Sequence, residues 1–213
     1  MANLRLKALP VGPLQTNAYL LWDPDTTAAV LVDPGDEVDF LLTEIENTGC
    51  RLVQLLCTHG HYDHVAAAAA IQAHWNLPLL CHPLDAPLIK NMPAIQTAYG
   101  MPPSGVPQMA ASLDHAQALG LGSTTLEVRH VPGHSPGHVM FTWGEDALVG
   151  DCIFAGSIGR TDLPGGNLDD LVQSIREQIY TLPDSTHLHS GHGPVTKVGR
   201  EKRSNPFVRG LDL

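Results

Sequence analysis

Apolar and polar residues alternate along LRLKAL (residues 4–9), the two-residue period of a strand with one covered face. NAYLLW (17–22) and AAVLVDPG (28–35) are almost continuously apolar and read as buried strands, the second ended by a turn. DEVDFLLTEIENT (36–48) places apolar residues at helical spacing behind an acidic start, which predicts a helix. RLVQLLCT (51–58) predicts another strand and leads directly into CTHGHYDHV (57–65). DHVAAAAAIQAHW (63–75) predicts one helix, rich in alanine, the strongest helix former. Residues 83–107 hold six prolines and little periodicity, and read as an irregular excursion between core elements. Strands are expected again at TLEVRHV (125–131), HVMFTW (138–143), ALVGD (147–151) and THLHS (186–190), with a helix over roughly 168–181. Strands alternating with helices, and several apparent hairpins, predict an α/β sandwich.

Composition narrows the setting. The 213 residues suit one domain, and 43% of them are apolar. No apolar run approaches the ~18 residues of a membrane helix, so no membrane partner is expected. MANLRLKALPVG lacks an apolar segment followed by a small-residue cleavage site, so no secretory signal is expected. Cys50, Cys57, Cys81 and Cys152 form no C-x-x-C pair, which suits a reducing compartment and a cytoplasmic location. A formal net charge of -10 argues against nucleic acid as a partner. Lys197, Arg200, Lys202, Arg203 and Arg209 nevertheless crowd the last seventeen positions. They read either as a solvated basic tail or as a patch that receives an anionic substrate, with Lys197 and Arg200 the favoured contacts.

The histidine cluster changes the picture most. His59, His61, Asp63 and His64 fall within six positions, and side chains two apart in extended chain face one point. Neutral imidazoles suit zinc or iron, and a carboxylate offsets the cation charge. Four donors on one loop are too many for a single open site, so two metals sharing further ligands are expected. His134 in VPGHSPGHV, Asp151 in LVGDC and His192 in HSGHGP also stand at strand ends beside glycine-rich turns. His138 reads as a strand residue, and His74, His82, His115, His130, His187 and His189 as ordinary histidines. Asp33 reads equally as a turn former or as a group orienting a ligand imidazole.

T-H-x-H-x-D-H at 58–64, followed in order by His134, Asp151 and His192, resembles the metallo-β-lactamase-fold hydrolases. PGHSPGHV and GRTDLPGG (159–166) are similar to the glyoxalase II group, especially its short members. The resemblance covers essentially the whole chain. It implies an αββα four-layer metallo-β-lactamase-type sandwich, residues 1–213 forming a single domain without the extra C-terminal helical domain of longer glyoxalase II enzymes. It assigns His59, His61 and His134 to one metal, and Asp63, His64 and His192 to the other, with Asp151 bridging. The metals would be two divalent ions, zinc foremost, with iron or manganese also accepted by these ligands.

The implied reaction is hydrolysis of a small-molecule thioester, such as S-lactoylglutathione, by a hydroxide bridging two cations ~3.5 Å apart, oriented by Asp63. A thiolate suits the task as leaving group because free thiols have pKa values near ~8.5. GHGP stands where longer glyoxalase II enzymes carry a tyrosine, so the hydrolytic machinery is better founded than the glutathione carrier. Two enzyme alternatives share the fold: a lactonase or ester hydrolase, and a glutathione persulfide dioxygenase with one iron on His59, His134 and Asp151. A structural zinc protein fits poorly, because structural sites are usually cysteine-rich. The excursion at 83–107, with Met92, Met101 and Tyr99 and with Met109 just beyond it, is expected to cover the site. Cys152 reads as a buried structural cysteine, and the oligomeric state is not legible.

Overall fold

The computed structural model describes residues 4–209. The chain runs β1 (Arg5–Val11), β2 (Thr16–Trp22), β3 (Ala28–Val32), α1 (Val38–Thr48), β4 (Arg51–Leu56), α2 (Tyr62–Val65), α3 (Ala68–Trp75) and β5 (Leu79–Cys81). It continues through α4 (Ala86–Ala98), β6 (Met109–Ser112), β7 (Ala118–Leu121), β8 (Thr124–His130), β9 (Val139–Trp143) and β10 (Asp146–Gly150). A small hairpin, β11 (Ile153–Phe154) and β12 (Ser157–Ile158), precedes α5 (Leu168–Ser174), β13 (His187–Ser190), β14 (Thr196–Lys197) and α6 (Val198–Ser204).

Two six-stranded sheets result, in the orders β1-β2-β3-β4-β5-β6 and β14-β13-β10-β9-β8-β7. In the first, β3 to β6 run parallel, while in the second only β10 and β13 do. The apolar runs are continuous because the central strands are covered on both faces. Along β2, Ala18 and Leu20 join a cluster with Leu41, Ile45, Ile71, Ile89 and Met92 from the helices. Tyr19 and Leu21 instead join Phe141, Trp143 and Leu148 of the second sheet. Met140, Ala147, Val149 and Leu188 turn outward onto Leu171, Ile175, Ile179 and Val198. Helix, sheet, sheet and helix therefore stack in four layers, as expected. Among the described residues no helix is long and apolar enough to cross a membrane.

Two expectations need correction and one is refined. The single helix over 63–75 is broken, because the Ala67 N–H bonds the Pro34 carbonyl at 3.0 Å instead of continuing the helix. The helix expected over roughly 168–181 forms from Leu168 to Ile179, beginning as α5 and widening into a π turn at Ile175–Ile179, closed by Tyr180 N–H on the Ile175 carbonyl. The excursion over 83–107 is largely helical, with a 3-10 turn at Pro83–Asp85 followed by α4. Pro87 lies in the first turn of α4, where no N–H is needed, and Pro93 is accommodated inside the helix. The basic tail is likewise built into structure. Lys202 and Arg203 on α6 pair with Asp184, yet Lys197, Arg200, Arg203 and Arg209 all stay exposed, as a solvated basic segment would.

Candidate metal centre

The site forms where β3, β4, β10 and β13 end, and where the β8–β9 connection crosses that edge. β4 delivers Thr58, His59 and His61, and α2 then presents Asp63 and His64. His134 and His138 come from the β8–β9 connection, Asp151 follows β10, and His192 follows β13. The loop holding His192 is pinned by β2. Asn17 N–H bonds the Gly191 carbonyl at 2.7 Å, while the Asn17 amide and Tyr19 hydroxyl donate to the Ser190 carbonyl.

Four of the five candidate ligand imidazoles are turned by a bond on the far nitrogen. His134 Nδ1 lies 2.8 Å from the Arg160 carbonyl, His192 Nδ1 3.1 Å from the Leu14 carbonyl, and His64 Nδ1 3.0 Å from Asp33 Oδ2. The Thr58 hydroxyl donates to Asp33 and so accepts from His59 Nδ1 at 2.9 Å. Nδ1–H donation in all four leaves the Nε2 lone pairs facing inward. His61 enters the cluster through Nδ1 instead, 2.9 Å from His134 Nε2.

The inward atoms form overlapping sets: His59, His64 and Asp151 make one that joins two others. Of these two, His59, His61 and His134 offer the first, and Asp63, His64 and His192 the second, each with its donor atoms within 4.8 Å of one another. Asp151 lies between them: Oδ1 is 3.4 Å from His64 Nε2, while Oδ2 is 3.4 Å from His192 Nε2 and 3.7 Å from His134 Nε2. A tetrahedral shell with arms of ~2.1 Å has edges of about 3.4 Å, so these separations fit donors around a common cation. The buried atoms His64 Nε2 and Asp151 Oδ1 have no hydrogen-bond partner. Such orphans are costly unless something else satisfies them, and a cation would. The residues therefore fit a metal site.

Electrostatics separates the halves. Burial, with His64 and His134 adding repulsion, holds His59 well below the ordinary histidine range. Burial and then His134 lower His61 to about 4, and burial also lowers His134 and His138. In the other half burial again opposes charge, but Asp151, Asp63 and Asp33 outweigh it and raise His64 well above its usual value. His192 rises to about 9, burial being overcome by hydrogen bonds to Asp151 and Asp63. Asp63 falls to about 2 despite burial, through His64 and His192, and Asp151 is held well below the usual carboxylate range. The carboxylate pair thus calls for positive charge where the orphaned atoms point.

The supporting groups were harder to anticipate. Asp33 does orient an imidazole: it receives Thr58 N–H, the Thr58 hydroxyl and His64. Asp85, unnoticed in the sequence, is buried and receives Gly60 N–H, the Ser135 hydroxyl and Gly137 N–H, tying two ligand-bearing loops together. His138 stacks on His59 with ring centroids 4.9 Å apart, and its Nε2 accepts Asp151 N–H. Gly191 is required by close approach, since a Cβ there would run into Asp151 Oδ1. The ordinary histidines stay apart from the centre: His82 stacks on His130, and His189 pairs with Asp146. Cys152 is buried, and burial pushes its thiol up. Lys197 and Arg200 do not line the cavity beside Asp63, whereas Met101 does, as does Gln96 of α4.

A family model described as the metallo-beta-lactamase superfamily matches residues 11–192, the span from β1 to the last histidine of the cluster. The chain belongs to that superfamily. It is a superfamily metallo-hydrolase with candidate His/Asp metal clusters. Among its relatives is a Haemophilus influenzae protein named hydroxyacylglutathione hydrolase GloC, 37% identical over 96% of this chain and 98% of that protein. The solved structure described as TTHA1623 in a di-iron-bound form is 40% identical, with TM-score 0.87 over 95% of this chain and 100% of that one. The structure described as BLEG-1 B3 metallo-beta-lactamase is 36% identical, with TM-score 0.89 over 96% of this chain and 99% of that one.

Proposed function

We propose that this superfamily member is a dinuclear metal-dependent thioester hydrolase of the cytoplasm, acting on S-(2-hydroxyacyl)glutathione such as S-lactoylglutathione. One metallo-β-lactamase-like domain, residues 1–213, carries the activity in this reading. His59, His61 and His134 would hold one cation, Asp63, His64 and His192 the second, and Asp151 both. The observation that carries the reading is Asp151, whose carboxylate lies 3.4 Å from both His64 and His192 of one donor set and 3.7 Å from His134 of the other. A single iron on His59, His134 and Asp151, as a dioxygenase would hold it, leaves His61, Asp63, His64 and His192 without a ligand role. The relative named GloC supports the glutathione thioester, and the di-iron-bound relative supports two metals.

When bound, two divalent cations, zinc foremost, supply a nucleophilic hydroxide at neutral pH and polarise the acyl carbonyl. The chain does the placing. Asp63 Oδ2 receives the Thr16 hydroxyl at 3.0 Å, which fixes the carboxylate on the lining of the neighbouring cavity. There it can accept a hydrogen bond from the attacking oxygen and aim it at the acyl carbon. The new C–O bond replaces the C–S bond, and the thiolate leaves with the bonding electrons. Its pKa near ~8.5 makes a dedicated proton donor unnecessary. Lys197 and Arg200, the first cations in sequence after His192, remain our choice for the anionic carrier.

Purified protein assayed with S-lactoylglutathione beside simple thioesters and lactones, with metal analysis, tests the proposal. Glutathione thioester turnover is expected to exceed lactone turnover. Lactone hydrolysis alone, or oxygen uptake with glutathione persulfide at one iron per chain, would overturn it.

A further inference from the structure

A cavity of about 440 Å³ opens beside Asp63. Leu14, Val38, Tyr62, Ala66, Met101 and Pro102 give it apolar walls. Its charged side chains are Asp36 and Asp63, both acidic, and among the described residues no lysine, arginine or histidine lines it. At ~30 Å³ per water, such a volume holds on the order of fifteen waters. A lactoyl group would leave most of them in place.

One wall is held by a clasp. Gln96 on α4 is buried, its amide nitrogen donating to Ser104 Oγ at 3.0 Å and its amide oxygen accepting Ser104 N–H at 2.7 Å. The Gln96 carbonyl also receives Met101 N–H at 2.9 Å. These bonds fold residues 101–104 back beside the end of α4, so that Met101 and Pro102 face the cavity. The clasp engages both ends of the Gln96 amide with the protein's own chain, which gives this glutamine a positioning role.

Resting on the thioesterase reading, we propose that this cavity is the acyl subsite, selecting uncharged, apolar 2-hydroxyacyl groups larger than lactoyl, with Gln96 positioning its wall. Longer apolar groups displace loosely held water onto apolar walls, which favours binding. Asp36, which holds no cation in this reading, repels a second carboxylate at the cavity wall. Glutathione itself carries carboxylates, so the carrier lies outside this cavity and the acyl end enters it.

The test keeps the carrier constant. S-lactoyl-, S-mandeloyl- and S-(2-hydroxyglutaryl)glutathione are compared by kcat/KM on the metal-loaded enzyme. Mandeloyl is expected at least about tenfold above lactoyl, and hydroxyglutaryl at least about tenfold below. Met101→Arg, at a partly exposed position, is expected to reverse the order of mandeloyl and hydroxyglutaryl. Gln96→Ala is expected to raise KM for mandeloyl more than it lowers kcat. A readout independent of turnover is the Met101 methyl resonance, which mandelamide should shift in the wild type and not in Gln96→Ala. Equal kcat/KM across the series, or a still Met101 methyl, overturns the subsite. Absence of all thioester turnover overturns the parent reading, and the methyl shift then still decides the subsite.

Discussion

Asp85→Ala removes the acceptor that joins the two ligand-bearing loops. Three donors lose their partner: Gly60 N–H at 2.8 Å, the Ser135 hydroxyl at 2.6 Å and Gly137 N–H at 2.6 Å. Hydrogen bonds to a charged group contribute ~1.5–3 kcal/mol each, and a buried orphan donor costs ~1–3 kcal/mol. Water entering the vacated space recovers part of the loss, so roughly 3–5 kcal/mol is expected. Asp85→Asn keeps one acceptor oxygen but opposes an NH₂ to a donor, and should lose roughly half as much. Urea unfolding of chelator-treated protein measures this contribution free of metal. Zinc affinity of the same variants should fall ~10–100-fold, because His59, His61 and His134 lose their fixed loops. A stability loss under about 0.5 kcal/mol with unchanged zinc affinity would refute this role.

Other perturbations probe separate parts of the structure. Asp33→Asn alters the group that orients His64 and Thr58, and metal affinity measured by competition with a chelator should drop ~10–100-fold. Gly191→Ala drives a methyl into the Asp151 carboxylate, and metal analysis of the purified variant should show fewer than the wild-type number of ions per chain. Asp23 receives Ser123 N–H and the Ser123 hydroxyl, which depress its carboxyl below the ordinary range. A depressed carboxyl stabilises the fold above the unfolded pKa of ~3.9 and loses that contribution as pH falls through the folded value. The stability gap between wild type and Asp23→Asn should therefore be constant above about pH 5 and narrow below about pH 4. A gap unchanged down to pH 2 would contradict the assignment.

The central strands were legible because burial on both faces leaves β2 and β3 almost wholly apolar, and β4 still carries apolar Leu52, Val53, Leu55 and Leu56. β5, β11, β12 and β14 were not, since strands of two or three residues carry no period to detect. Prolines hid α4, although one of them falls where a helix tolerates it best. At the site, the seven donors were legible as candidates from their order and local contexts, His59 and His61 following β4, Asp63 and His64 on α2, and His134, Asp151 and His192 in turns that follow strands. Asp85 and the Gln96 clasp could not, because their partners are distant in sequence or belong to an apparently irregular segment. Asp33 and His138 were visible only as candidates until the fold set them against His64 and Asp151.

The central claim is that seven side chains form two metal positions sharing Asp151. Equilibrium dialysis against zinc, with metal counted per chain, tests it most directly when wild type is compared with His61→Ala and His64→Ala. Two zinc ions are expected in the wild type and one in each variant, with thioester hydrolysis lost in both. A His64→Ala protein that keeps full metal content and full activity would contradict the two-metal centre.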